Sequence, residues 1–311
     1  MKKSIPVSPP HKQKYFKSFD GTKIGYQVVG SGKIPFLLCN GLGGSMIAWE
    51  PLIKRFHKYF RFVAWDYRGL FTSDVPADHK TLEIPCHVQD MRILVQKEKI
   101  PRAIVAGWSM GTQVALEAYG VMPKFFRGLF LLNGTYGHTF LTAFRTPLSR
   151  YILPVVNQLI IQLMPRLQGR LKPLASHVVT SDQFVNLVVK LGMIHNASQS
   201  HIFKKVAADI VGCDLAIYHK ILNLLDKHDA SGVLHKITVP TLIISGERDI
   251  LTPVNTAERM AHSIPHAEIF IINQASHYSL MEFPDLICDR LEQFLSEHRL
   301  LPENKANNSR Q

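Results

Sequence analysis

Short apolar runs alternate with amphipathic stretches along both halves of the chain, and no other feature narrows the possible folds as much. Runs of four to seven residues rich in β-branched and aromatic types suit strands, and the stretches between them carry apolar residues at helical spacing. That alternation argues for a mostly parallel sheet with helices on both faces. Tyr15–Phe19 and Lys23–Val29 flank Asp20-Gly21 and read as an antiparallel hairpin. Phe36–Cys39, Arg61–Trp65, Ala103–Ala106, Leu129–Leu132, Thr241–Ser245 and Glu268–Ile272 complete a set of about eight strands. Helices are expected over Ser45–Lys58, Pro85–Lys99, Met110–Val121, Pro253–Ser263 and Phe283–His298.

Between residues 135 and 235 the pattern lapses: helical periodicity and several prolines, but no convincing strand. This stretch is expected to form a helical cap above the strands' carboxyl ends, where open α/β sheets hold ligands. The chain then divides into a basic flexible tail over 1–14, a core over 15–134 and 236–300, the cap over 135–235 and a disordered polar tail over 301–311. With 311 residues and 46% hydrophobic content, the chain can fill a core of that size.

The net charge of +12 matters only through its location. Met1–Phe19 holds five lysines and no acid, and Thr135–His235 holds ten Lys and Arg against five acids, so these two stretches supply ten of the twelve charges. No basic helix within a recognisable nucleic-acid module accompanies them, so nucleic acid is not an expected partner. A solvated tail and a basic cap account for the charge, with weak contact between cap and anionic membrane as the alternative. Cys39, Cys86, Cys213 and Cys288 lie far apart with no C-x-x-C spacing, as in a reduced cytoplasmic protein. Prolines at 6, 9 and 10 interrupt the start of the chain, which has no apolar core of signal-peptide length. No H-E-x-x-H is present, and Pro265 separates His262 from His266, so neither metal nor cofactor is expected.

Chemistry concentrates in Gly107-Trp108-Ser109-Met110-Gly111, which directly follows one apolar run and opens a helix. G-x-S-x-G in that setting holds a serine hydroxyl exposed on a strained strand-to-helix turn, and Gly107 and Gly111 are needed because side chains there would collide with neighbouring strands. A serine hydroxyl needs a histidine to take its proton and a carboxylate to fix that histidine. In the order Ser, acid, His, the acid belongs after a late strand and the histidine after the last one. Asp249 and His277 occupy those loops, with Glu247 as the local rival to Asp249. The loop after Leu132 offers Asn133 instead of an acid. Oxyanion stabilisation needs backbone N–H donors, expected from Met110 and, in the glycine-rich loop Asn40-Gly41-Leu42-Gly43-Gly44, from Leu42, with Gly41 and Gly43 allowing close approach.

The elbow, glycine loop, acid loop and terminal histidine together resemble the α/β-hydrolase superfamily across nearly all of Tyr15–His298, in its capped esterase and lipase branch. The resemblance implies an α/β-hydrolase fold with an eight-stranded, mostly parallel sheet. It also makes Asp66 and Arg68 of Asp66-Tyr67-Arg68-Gly69 bracing residues that do not react. Asn40 stands where most members of this branch carry histidine, Leu70-Phe71 replaces the glycine usual after Arg-Gly, and Thr112 replaces a common glycine. Serine at the nucleophile position argues against the dehalogenase and epoxide hydrolase branches.

Within the cap, Tyr151–Met164 is apolar with a few amides, and Arg166, Arg170 and Lys172 follow; a lid helix over an apolar acyl pocket is expected. Asp214, His219, His228 and Asp229 either line that pocket or face water. The expected activity is hydrolysis of a small carboxylic ester, lipid-like in one version. Acyl transfer or carbon–carbon cleavage on the same three residues, and a non-catalytic binding protein, are the alternatives.

Overall fold

In the computed structural model, residues 12–146, 148–190, 194–195 and 200–302 are described. Eight strands form one sheet: β1 (Lys12–Lys17), β2 (Lys23–Val29), β3 (Ile34–Cys39), β4 (Phe60–Trp65), β5 (Ala103–Trp108), β6 (Phe126–Leu132), β7 (Thr241–Gly246) and β8 (Glu268–Ile272). Their spatial order is β1-β2-β4-β3-β5-β6-β7-β8. Pairs β1/β2 and β2/β4 are antiparallel and the remaining pairs parallel. The helices are α1 (Glu50–Phe56), α2 (Ile84–Lys97), α3 (Met110–Val121), α4 (Thr139–Thr142), α5 (Ser149–Val179), α6 (Asp182–Lys190), α7 (Ser200–Gly212), α8 (Leu215–Lys227), α9 (Ser231–Leu234), α10 (Val254–Ser263), α11 (Ser279–Glu282) and α12 (Pro284–Glu297).

The central strands are apolar throughout because both their faces are covered. In β3, Leu37 and Cys39 point to the core under α2, α3 and α10, while Phe36 and Leu38 point to the core under α1 and α12. The same division separates Val63 from Phe62 in β4, Val105 from Ile104 in β5 and Leu131 from Phe130 in β6, as the two-residue strand period dictates.

β1 begins at Lys12, so three residues expected in a flexible tail belong to the hairpin. Its polar sequence reflects its place at the sheet edge, where Lys14 Nζ donates to Glu98 Oε1 at 3.1 Å. The rest of that expected tail, and 303–311 of the other, lie outside the described residues. Met46–Trp49 is a 3₁₀ turn ahead of α1, so the single helix expected over Ser45–Lys58 is divided.

Arg68 ties the hairpin to α2. Its fully buried guanidinium donates to both Asp90 oxygens, at 2.7 and 2.8 Å, and to Asp20 Oδ2 and Ser18 Oγ. Asp66 holds the following turn, accepting from Thr72 N at 3.2 Å and from Thr72 Oγ1. Burial, with the negative charge of Asp209 nearby, pushes the Asp66 carboxyl up to about 6 against those bonds.

Between β6 and β7 the described residues form α4 to α9 and no strand of the sheet. The longest, α5, runs 31 residues through Pro154, Pro165 and Pro173. It packs against α8 and α7. Among the described residues, no helix is long and apolar enough to cross a membrane.

Candidate active site

Five neighbouring strands deliver their following loops to one rim of the sheet: the Asn40–Gly44 loop after β3, Ser109 after β5, Asn133 after β6, Asp249 after β7 and His277 after β8. Ser109 has φ +55° and ψ −120°, outside the regions open to ordinary L-residues, on the residue before α3. The two flanking glycines make this turn possible. A Cβ on Gly107 would lie 2.4 Å from the Gly111 carbonyl oxygen, and one on Gly111 would lie 1.9 Å from the Cys39 carbonyl oxygen. The elbow is thus pressed against β3, and neither position admits a side chain. Met110 is the first residue of α3, so its N–H has no acceptor within the helix.

Thr112 occupies the site of the common family glycine by displacing the need to the opposite wall. Its side chain is fully buried against Gly134, where a Cβ would lie 1.9 Å from Thr112 Oγ1. Asn40 fixes the glycine-rich loop from both ends of its amide. Nδ2 donates to the Trp65 carbonyl at 3.0 Å, and Oδ1 accepts from Trp49 Nε1 at 2.9 Å. Tyr67 adds a hydrogen bond from its hydroxyl to the Asn40 carbonyl at 2.9 Å.

His277 Nδ1–H donates to Asp249 Oδ2 at 2.9 Å, which leaves Nε2 as the acceptor. Asp249 is fully buried and collects four further donors: Leu251 N and Thr252 N on Oδ1, both at 2.8 Å, and Thr252 Oγ1 at 2.7 Å and Asn133 Nδ2 at 3.0 Å on Oδ2. Burial works against its charge, yet His277 and the Thr252 hydrogen bonds outweigh burial and hold the carboxyl below its usual range. Glu247, two residues earlier, is exposed and accepts from Gln274 N at 3.0 Å on the outside of the loop.

Ser109, His277, Leu42 and Gly41 line a single cavity of about 270 Å³; Asp249 lies behind the imidazole and Gly43 is buried in its loop. Trp108, Phe140, Leu153, Val206, Tyr218 and Leu222 supply much of the wall. No Lys, Arg, Asp or Glu is among the described lining residues.

The four open positions of the insertion all make structural contacts, three within the insertion and His228 to α3. Asp214 caps α8, accepting from Ala216 N at 2.8 Å, and Asp229 accepts from Ser231 N at 2.8 Å. His219 Nδ1–H donates to Asn157 Oδ1 at 2.7 Å, and His228 sits between Gln113 and Glu117 at 2.7 and 3.2 Å. None is among the described residues lining the cavity.

Several contributors were not singled out from sequence. Asn133, at φ +43°, joins Asp249 to the histidine loop by also donating to the Ser276 carbonyl at 3.2 Å. Glu282 accepts from Ser276 N at 2.7 Å and Ser276 Oγ at 2.9 Å, and Trp108 Nε1 donates to the His277 carbonyl at 3.2 Å. Only Thr252 had a local signal, its spacing three residues after Asp249 being that of an aspartate-capped turn.

A family model described as alpha/beta hydrolase fold matches residues 34–284. The chain belongs to the α/β-hydrolase fold family. Within it, the chain is 28% identical over 264 residues to a pimeloyl-[acyl-carrier protein] methyl ester esterase of Hamiltonella defensa, covering 82% of this chain and 90% of the relative. It is 22% identical over 291 residues to epoxide hydrolase 4 of Mus musculus, covering 89% and 77% respectively. Among solved structures, an esterase from Exiguobacterium antarcticum aligns at TM-score 0.72 and 20% identity over 92% of this chain and all of that one. An enol-lactonase from Burkholderia xenovorans LB400 aligns at TM-score 0.72 and 21% identity over 91% of this chain and all of that one. The structural likenesses carry the fold; family membership and the esterase-named relatives make the chain a hydrolase.

Proposed function

We propose that this hydrolase cleaves an uncharged carboxylic ester with an apolar acyl chain, through an acyl-enzyme on Ser109. The 2.9 Å contact of His277 Nδ1 with the buried Asp249, with Ser109 and His277 on the wall of the same apolar cavity, carries the reading. His277 Nε2 takes the Ser109 proton as Oγ bonds to the ester carbonyl carbon, and the N–H groups of Leu42 and Met110 receive the negative charge that develops on the carbonyl oxygen. The imidazolium then protonates the departing alcohol oxygen as the carbon–oxygen bond breaks. Water, deprotonated by the same nitrogen, attacks the acyl-enzyme; Ser109 recovers its proton and a carboxylic acid leaves.

Asp249 orients the imidazole and balances its positive charge. A serine rather than an aspartate at the elbow favours acyl chemistry over epoxide opening, despite the name of the murine relative. A largely apolar wall with no Lys, Arg, Asp or Glu among its described lining residues favours a neutral substrate. The Hamiltonella relative is named for a methyl ester, the same class of bond.

A panel of p-nitrophenyl esters of graded acyl length tests the proposal together with fluorophosphonate labelling. The expected result is a burst of nitrophenol, preference for acyl groups longer than acetyl, and one labelled serine. Ser109→Ala should abolish the label and lower kcat by at least about 10³-fold with the fold intact. Equal turnover by the wild type and Ser109→Ala would overturn it.

A further inference from the structure

The longest helix is built inside out. Of the 31 residues of α5, those buried are Ser149, Asn157 and Val179. Val156, Leu159, Leu163, Leu167, Leu171 and Leu174 instead stand between 38% and 65% exposed, at spacings of three and four that keep them on one face. They form an apolar stripe about 27 Å long. An amphipathic helix packed on a core would show the opposite arrangement, with its leucines turned inward and its amides outward. Here Asn157 faces in and exchanges hydrogen bonds with His219, at 2.7 and 3.1 Å. Gln168 also faces in, accepting from Leu215 N at 2.7 Å.

Charge on the helix has one sign. Arg150, Arg166, Arg170 and Lys172 lie on it, and its sequence contains no Asp or Glu. A second copy of the same face would bring these cations together without an acid to meet them. An anionic bilayer supplies both an apolar layer for the stripe and phosphates for the arginines. Asn157, Gln158, Gln162 and the four cations make α5 too polar to span a bilayer, which leaves a helix lying in the interface.

The stripe is continuous with the cavity. Leu153, on α5 itself, lines the cavity, and Phe144, just before the helix, lines it while 46% exposed. Phe144 is held there in a left-handed conformation at φ +61°. We propose that the outer face of α5 docks on anionic membrane surfaces, with Phe144 at the opening through which an ester leaves the lipid for the cavity. The delivery of an ester rests on the function proposed above; the docking does not.

Sedimentation with sucrose-loaded vesicles of phosphatidylcholine, alone or mixed with phosphatidylglycerol, tests the docking on the full chain. Wild type should pellet with the mixed vesicles, return to the supernatant at high salt and stay there with phosphatidylcholine alone. Leu163→Glu/Leu167→Glu and Arg166→Glu/Arg170→Glu should each weaken partitioning by about tenfold or more. Both should hydrolyse a soluble short-chain ester at the wild-type rate, which also reports that they fold. Ser109→Ala should pellet like wild type.

Wild type in the supernatant with both vesicle types, or double variants that pellet as wild type does, would overturn the docking. So would a dimer in light scattering that Leu163→Glu/Leu167→Glu dissociates, since that gives the face to a second copy. Intact pelleting with no ester cleavage by wild type counts against the proposed function and leaves the docking standing.

Discussion

Five donors fix the Asp249 carboxylate, and among them Asn133 also reaches the histidine loop through the Ser276 carbonyl. Asn133→Leu removes that strut while nearly keeping the volume. It should lower kcat about 10-fold or more with KM little changed, because a misaligned imidazole costs the transition state and not binding. A loss confined to thermal stability would deny Asn133 this positioning role. Asp249→Asn should cost about 10⁴-fold in kcat, from the wrong histidine tautomer. Glu247→Gln should stay within a few-fold, since Glu247 points away from the imidazole to Gln274; equal losses from the two would show the acid to be misassigned. Ser109, Asp249 and His277 could be proposed from the sequence because the roles given them need fixed residue types after particular strands. Asn133 and Glu282 could not, because an amide or carboxylate serving as a strut has no required spacing from what it supports.

Strand positions were read within a few residues because both-face burial writes itself as apolar runs, as in Ala103–Ala106 against the observed Ala103–Trp108. The misreading at β1 came from its polar edge character, and the extent of α5 was hidden by prolines that normally end helices. Between elements, buried Arg68 joins the hairpin to α2 through Asp90 and Asp20. Arg68→Met should cost about 3–5 kcal/mol in urea unfolding by leaving Asp90 buried without its partner, and Arg68→Lys should not restore it, lacking the two-pronged geometry. Thr112 and Gly134 couple α3 to the loop after β6 in a different way. Gly134→Ala should destabilise by about 1–3 kcal/mol, and much less in a Thr112→Gly background where the clash is gone.

On the scale of the whole molecule, buried His87 makes stability depend on pH. Its ring packs 4.7 Å from Tyr67 and Nε2–H donates to the Leu82 carbonyl at 3.1 Å, while Nδ1 has no partner among the described residues. Burial, with Arg68 nearby, lowers its pKa from 6.5 to about 3. Above pH 6.5 both folded and unfolded chains carry it neutral, so it contributes no pH dependence there. As pH falls below 6.5 the unfolded chain takes up the proton first, and stability drains away until the folded pKa is reached. Between pH 6.5 and 5 the His87 contribution should fall by about 2 kcal/mol, read as the difference between the urea midpoints of wild type and His87→Phe across that range, which removes the opposite contribution of the raised Asp66 carboxyl common to both.

Gly137 and Asp229 pair as an isolated antiparallel bridge, and Ala230 N donates to the Tyr136 carbonyl at 2.7 Å, although residues 138–228 intervene in the chain. The cap between them therefore departs from and rejoins neighbouring points beside the sheet, and the short connection that remains still carries the crossover from β6 to β7. Excising or transplanting it would open no gap between strands. Such a scaffold can change its roof, and with it the diet of the enzyme, while the machinery beneath is inherited unaltered.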